Sequence, residues 1–578
     1  MRKRWLLKKA DRGVRNLLVR ELEISPIVAQ LLANRSIIDP EEAHKFLSCE
    51  LSNLHDPYLL KGMIEAVSRI RRALSKGEKI LLYGDYDVDG ITSVALLRSV
   101  LSGLGGNVLE YIPNRIEEGY GLNLDACRFA HKKRINLIVT VDCGINALRE
   151  VDYLNSLGID TIIVDHHEVQ VDGLPKAYAI INPLQKDCSY PFKHLAGVGL
   201  AFKLAQALLD QPLEKIKYLL DLVALGTVSD IVPQLDENRI LTKHGLEVLN
   251  ERKRIGLKEL IRVSGLGGRD ISSGHIGYML GPRINASGRI GSPKIALGLL
   301  VTNRWDEAKE SAQILDRENR NRQRIESRIL KEAMQKVQRE VNFKEHKTIV
   351  LSGSDWHPGV IGIVASRLVD KFYRPTAIIS LNRNAGRGSA RSISDFNLFG
   401  ALSECKKYLE EFGGHKAACG FSIQKKDIDK FKSLFNKIAN ERLLPEHLLP
   451  KLQADMDIPL NSLSETLIYD IDRLAPHGPK NPFPVFISRG IKLKNAPRAI
   501  GRKGMKFWVT DGKITCEAVA FGLSDGFFDV LKDEAFDVAY FPSVNTYKGV
   551  RSIKLDLEDL RTSPVRPQGS NGASEGIL

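Results

Sequence analysis

Residues 79–90, KILLYGDYDVDG, begin as an apolar run and end with three carboxylates, Asp85, Asp87 and Asp89, within five positions. A short apolar run closed by glycine reads as a strand buried on both faces, as in a parallel sheet. Acids just past such a strand lie where open α/β sheets place their ligands. Moving outward, GITSVALLRSVLSGLGG reads as a helix stopped by Gly103, Gly105 and Gly106. The runs NVLEYIP, INLIVTV, DTIIVD and AYAIINP follow, with helices expected at about 197–209 and 214–225. This alternation is the βαβ rhythm of a parallel sheet.

Two later strands end as the first does. LIVTV runs into Asp142-Cys143-Gly144, and TIIV runs into Asp165-His166-His167. The apolar segment ALGTVSD then delivers Asp230. Each acid alone reads as a helix cap or turn residue, but together they place carboxylates and imidazoles along one sheet edge. The string DxDxDG also matches the start of a calcium loop, but Leu96 stands where that loop needs its bidentate Glu. Asp87, Asp89, Asp142 and Asp230 would carry four negative charges, which two divalent cations balance. Oxygen donors with one imidazole suit Mn²⁺ or Mg²⁺ better than zinc. Two such ions are suited to phosphoryl chemistry.

The chain has 578 residues, 43% hydrophobic and 27% charged, enough for several domains at about 150 residues each. No run approaches a membrane span. The opening MRKRWLLKKADR has only Trp5 to Leu7 as an apolar core, too little for a signal peptide. Seven scattered cysteines without a CxxC pair argue against a disulfide framework or zinc ribbon and for a reducing cytoplasm. Lys plus Arg 84 against Asp plus Glu 70 gives +14, which favours polyanions such as nucleic acid.

The expected organisation is an N-terminal helical segment (1–54), a parallel-sheet α/β domain (55–305), a long connecting helix (306–345), a second α/β domain (346–442) and a small OB-type β-barrel (443–562). A tail rich in Pro, Gly and Ser (563–578) reads as disordered. The middle of the connecting helix, Asp316 to Arg324, has no apolar residue and reads as a solvated bridge between lobes. In the barrel region Lys480, Arg489, Lys492, Lys494, Arg498, Arg502, Lys503 and Lys506 precede Phe507 and Trp508. Such basic tracks fit single-strand binding. Alternating aromatics in a barrel more often belong to its core, so the charges carry the signal. No internal repeat is present.

These motifs, in this order over about 145 residues, resemble those of the DHH phosphoesterases. The segments WHPGVIG (356–362), GSARS (388–392) and GGHKAACG (413–420) are similar to the DHH-associated substrate domain, with Cys419 where alanine is more familiar. With GPRINASGR (281–289) and the barrel, the chain resembles the branch of the family that degrades single-stranded DNA. That resemblance implies a 5′ to 3′ exonuclease releasing 5′-mononucleotides with two divalent cations, Mn²⁺ or Mg²⁺, in DNA recombination and repair. It implies Asp87, Asp89, Asp142, His166 and Asp230 as metal ligands, with Asp142 bridging, and Asp85 and Asp165 as their orienters. His167 would contact the scissile phosphate. Arg115, Ser389 and Arg391 would hold the 5′-terminal phosphate, while Arg283, Asn285, His357 and His415 would contact the substrate. Implied partners are single-stranded DNA, a single-strand-binding protein and a helicase, with the chain a monomer. Two other readings compete. A DHH enzyme acting on pyrophosphate or on short or cyclic oligonucleotides needs neither barrel nor long bridge. A non-catalytic DNA-binding relative should have lost motif acids, and all are present.

Overall fold

The computed structural model describes residues 3–115, 118–169, 173–501, 504–522, 530–532, 534–547 and 550–563. Arg502, Lys503 and the expected tail beyond Ser563 lie outside these residues. The chain forms two compact units. One comprises Met1–Leu47, Leu449–Ala475 and Phe483–Leu578, the other Ser48–Leu448 with Pro476–Pro482. The short apolar run Trp5 to Leu7 lies in strand β1 (Arg4–Leu7).

In the larger unit, the first lobe is built on β2 (Lys79–Gly84), β3 (Asn107–Tyr111), β4 (Leu137–Val141), β5 (Asp160–Val164) and β6 (Ala179–Ile181), all parallel in the order β3-β2-β4-β5-β6. The chain leaves β2 towards β3 and returns on the other side as β4, so the direction of winding switches between β2 and β4. Register aligns Gly84 with Val141, Val141 with Val164 and Val164 with Ile181. Asp85, Asp142, Asp165 and Asn182 therefore follow their strands in a single row across the sheet. Helices α1 (Val88–Gly103), α2 (Gly197–Leu209) and α3 (Leu220–Ser229) pack within the core and are buried nearly all round. Their apolar residues are accordingly distributed around the helix rather than in a stripe. The helix expected at 214–225 is instead a short helix (Leu213–Ile216), a 3₁₀ turn (Lys217–Leu219) and α3. The tighter turn redirects the chain from a partly exposed segment into the core.

Helix α4 (Gly281–Ile290) carries the GPRINASGR motif and packs on α5 (Trp305–Glu340), about 54 Å long at ~1.5 Å per residue. The expected solvated bridge is overturned. Its middle keeps a buried stripe, made of polar side chains: Asp316 is 8%, Asn319 2% and Arg322 9% exposed. They are tolerated because they are satisfied by hydrogen bonds and charge pairs. Arg283 pairs with Asp316 at 3.0 Å, and Arg322 donates to Asn319 (2.7 Å) and Glu326 (2.8 Å).

The second lobe joins β7 (Ile349–Ser354), β8 (Thr376–Asn382), β9 (Ala385–Arg391), β10 (Glu411–Gly414) and β11 (Ala418–Gln424) in the order β10-β11-β9-β8-β7. Only β7–β8 is parallel.

In the smaller unit, β1 pairs in parallel with β12 (Lys451–Ala454), and the Trp5 indole donates to Asp559 at 2.8 Å. The first residues thus begin as a strand rather than as helix, and belong with the barrel. That barrel contains β13 (Met456–Asp457), β14 (Phe486–Leu493), β15 (Arg498–Ile500), β16 (Gly504–Thr510), β17 (Thr515–Phe521), β18 (Phe536–Tyr547) and β19 (Val550–Thr562). The order β14-β18-β19-β17-β16 closes because β16 pairs back onto β14. Two of its pairings, β17–β19 and β13–β14, are parallel. Phe507 is buried in the barrel core and unavailable for base stacking, and Trp508 is half-buried.

Candidate active site

The acids converge at the switch point. Asp87 is the N-cap of α1, accepting from the amides of Asp89 (2.9 Å) and Gly90 (3.2 Å). Capping and clustering coincide here. This first turn aims Asp89 inward, where its two oxygens accept from the N-terminal amides of α2, Gly197 (2.7 Å) and Val198 (2.8 Å). A side chain at Gly197 would lie 2.8 Å from the Asp142 Cβ and 3.0 Å from an Asp89 oxygen, so only glycine lets α2 approach. Asp142 has φ +59, an uncommon conformation for a non-glycine residue. The His166 Nε2 lies 3.1 Å from Asp142, 3.7 Å from Asp230 and 3.9 Å from Asp89. Ligand atoms of Asp89, His166 and Asp230, and those of Asp85, Asp87 and Asp142, form groups lying within 4.8 Å of one another.

Electrostatics mark this cluster as built for cations. Burial and the neighbouring acids push the Asp142 and Asp85 carboxyls well above their usual range, Asp89 up to about 7 and Asp230 up to about 9. Burial and His167 lower His166 to about 4, leaving it a neutral donor atom for a metal. One buried oxygen of Asp85 has no hydrogen-bond partner among the described residues. Buried, mutually repelling oxygens with a neutral imidazole match what hard divalent cations require.

Asp165 behaves differently. Burial raises its carboxyl, but the His167 hydrogen bond and both imidazoles outweigh that and hold it below the ordinary value. It accepts from the amides of Ile145 (3.0 Å), His166 (2.8 Å) and His167 (3.1 Å), and from the His167 ring at 2.7 Å. Burial lowers the His167 imidazole, yet Asp165 raises it to a net upward shift. The Tyr120 hydroxyl lies 3.2 Å from the His167 Nε2, and Asn182 donates to the His167 carbonyl at 2.9 Å.

Beside this cluster, a cavity of about 430 Å³ opens between the two lobes of the larger unit, lined by Arg115, Arg289, Ser389 and Arg391 among others. Arg391 donates to the Ser389 hydroxyl at 3.0 Å. The Arg115 guanidinium sits over the Tyr86 ring at 5.2 Å, so the residue between Asp85 and Asp87 braces the cavity wall. Burial and the charges of Arg115, Arg322 and Arg391 lower Arg289 to about 10, and burial and Arg115 lower Arg391. Three guanidiniums held together against their own repulsion suit a phosphate dianion.

The sequence reading named Arg115, Ser389 and Arg391 and missed Arg289. The signal lay in GPRINASGR: Asn285 and Arg289, four apart, share one face of α4. Tyr120 and Asn182 were missed as well, although Asn182 follows the strand within AYAIINP at the same row as the strand-end acids. The other named residues are not gathered into the cavity. Arg283 is engaged by Asp316 and the Met279 carbonyl. His357 accepts from the Gly359 amide at 3.1 Å and stabilises its own turn. His415 is exposed in the β10–β11 connection, and Asn285 is half-buried on α4. Cys419, buried, lies 3.2 Å from the His415 carbonyl, so its thiol is accommodated. On the barrel, Arg489 pairs with Asp457, Lys492 with Glu534 and Lys506 with Glu517, while Lys494 and Arg498 are exposed. Lys480 belongs to the other unit.

Family models match three regions: the DHH family N-terminal domain over residues 79–227, the DHHA1 domain over 345–441 and the RecJ OB domain over 454–559. The single-stranded-DNA-specific exonuclease RecJ of Bacillus subtilis is 38% identical over 564 residues, covering 97% of this chain and 71% of that protein. The crystal structure of RecJ from Thermus thermophilus in complex with Mn²⁺ superposes with a TM-score of 0.82 at 28% identity, covering 97% of this chain and 80% of that one. Its complex with Mg²⁺ gives 0.77 at 26%, covering 97% and 79%.

Proposed function

The chain belongs to the RecJ family of DHH phosphoesterases, and on that premise we propose that it is a single-stranded-DNA-specific exonuclease that starts at a 5′ end and releases 5′-mononucleotides. The observation that carries this reading is the cluster of Arg115, Arg289 and Arg391, braced on Tyr86, in the cavity beside the carboxylate cluster. An enzyme that measures from one end must recognise something found only there, and a terminal phosphate carries more charge than an internal diester.

Asp87, Asp89, Asp142, His166 and Asp230 are the residues that would hold two divalent cations, Mn²⁺ or Mg²⁺. When bound, these supply a water of lowered pKa and positive charge for the attacking and leaving oxygens. The remaining work falls to the chain. The amides at the start of α2 fix Asp89, and Asp165 accepts from the His166 and His167 amides of its own turn and from the Ile145 amide in the loop after β4. Asp165 also accepts from the His167 Nδ1 and, by raising the imidazole, favours the imidazolium, whose Nε2–H can donate to a phosphate oxygen. Arg115, Arg289, Arg391 and Ser389 clamp the terminal phosphate and so select the bond that reaches the cluster. Lys494 and Arg498 add sequence-independent attraction for the strand.

Among the described residues no helix is long and apolar enough to cross a membrane. All seven cysteines are buried and unpaired, which supports a reducing compartment, the cytoplasm. The chain would act as a monomer on strands supplied by a helicase and held open by a single-strand-binding protein. The deciding experiment digests matched oligonucleotides labelled at either end. Early release of labelled mononucleotide only from the 5′-labelled single strand is expected. Early release from the 3′ end, or equal attack on duplex, overturns the reading.

A further inference from the structure

Helix α4 relates the two halves of the site. At its N-terminal end, Gly281 packs so closely on Ser229, the neighbour of Asp230, that a side chain there would approach the Ser229 hydroxyl to 2.6 Å. At its other end, Gly288 packs equally closely on the Tyr86 carbonyl, at 2.7 Å, and Arg289 lines the phosphate cavity. These ends are about 12 Å apart at ~1.5 Å per residue. A strand with its 5′ phosphate at the Arg289 end and its scissile bond at the acids must continue past the N-terminal end of α4.

Two apolar side chains stand exposed there. The turn before α4, Ile276–Leu280, is a π-helix, a form that recurs at functional sites. It places Tyr278 at 88% exposure, the highest among the large hydrophobic residues described. Immediately after Asp230, Ile231 is 71% exposed and held at φ +64, a costly conformation for a β-branched residue. Gly277 lies against Val228, so this turn rests on the end of α3 that delivers Asp230. Neither side chain contributes to the core, and the chain keeps Ile231 there at a backbone cost beside the acids.

We propose that Tyr278, flanked by Ile231, is a stacking platform for a nucleobase on the 3′ side of the scissile phosphate. This rests on the 5′-exonuclease reading and adds a subsite to it. A π-face accepts any base, so the contact would hold the strand without sequence preference, and only where the bases are unpaired. It would thereby contribute to strand selectivity as well as to hold.

The test is steady-state digestion of 5′-phosphorylated single strands by the full chain, comparing wild type with Tyr278→Ala, Tyr278→Trp and Ile231→Ala. Substrates are either intact or abasic at one of the first three positions 3′ of the scissile phosphate. Tyr278→Ala is expected to raise KM on intact strands five- to twentyfold with kcat changed less than twofold, and Tyr278→Trp to retain wild-type KM. On the strand abasic at the contacted position, wild type should lose the same factor and Tyr278→Ala should lose nothing further. With 2-aminopurine at that position in Asp142→Asn protein, quenching on binding should disappear in the Tyr278→Ala double variant. A Tyr278→Ala KM within twofold of wild type on intact strands, or an equal further loss on every abasic strand, overturns the proposal. If wild type does not release 5′ nucleotides first, the exonuclease reading fails instead, and the two failures are distinct.

Discussion

Replacing Arg391 with Met keeps the side chain's bulk and removes one guanidinium from the cluster it forms with Arg115 and Arg289 in the cavity. A charge-assisted hydrogen bond to a phosphate is worth about 1.5 to 3 kcal/mol, or roughly ten- to 150-fold in kcat/KM. The structure places the expected value at the low end. Arg115 and Arg289 remain, and removing Arg391 relieves the repulsion that depresses Arg289. Arg391→Met should therefore lower kcat/KM on a 5′-phosphorylated single strand about ten- to thirtyfold, and by less than about threefold on the matched 5′-hydroxyl strand. The same relief should leave the substrate-free protein at least as stable as wild type in urea. Steady-state kinetics on the two oligonucleotides, with a urea melt of the variant, supply both readouts. Equal losses on both substrates would refute the terminal-phosphate role. A large loss of stability would show instead that Arg391 serves the fold through its hydrogen bonds to Ser389 and the Ala390 carbonyl.

Asp142→Ala should abolish cleavage and remove the Tm increase given by Mn²⁺ while binding to a long single strand stays within about threefold, as followed by scanning calorimetry and fluorescence anisotropy. Because protons compete with the metal at carboxyls raised to about 7 (Asp89) and about 9 (Asp230), Mn²⁺ affinity should climb as pH rises through that range. Calorimetry in two buffers of different ionisation enthalpy should detect the released protons. Asp316→Ala strands the Arg283 guanidinium and should cost about 2 to 3 kcal/mol in urea unfolding, with part recovered in the Arg283→Ala double variant. Lys494→Gln with Arg498→Gln should reduce the magnitude of the log K against log salt slope for single strands by about 1.4, two contacts at about 0.7 each. An unchanged slope would remove both residues from the DNA surface.

Much of the chemistry was legible along the chain because it is local. The strand-end acids are carried by short motifs, and parallel β-strands set side by side in register turn those motifs into one row without further information. The long helix was legible in extent but not in environment. Hydrophobic periodicity assigns a polar stretch to water, whereas Asp316 is buried against a partner from another helix, and Arg322 is buried against Asn319 and Glu326 of its own helix, the latter held in turn from another. Arg283 comes from α4 to engage Asp316, and Arg367 donates to Glu326, which in turn holds Arg322. Reach across the chain is what a periodicity argument lacks. The same limit hid β1, whose partner β12 lies more than four hundred residues away, and the parallel pairing of β17 with β19 inside the barrel.

By itself, then, the sequence determined the order of strands, the acids at their ends and the need for cations among them, since each follows from neighbours a few residues apart and from charge. Only the tertiary structure decided that α2 offers its first amides to Asp89, that Arg289 joins Arg115 and Arg391, and that Arg283 is engaged by Asp316. These depend on close approach between distant segments, set by glycines at contact points and by the burial of charges that only their partners make tolerable.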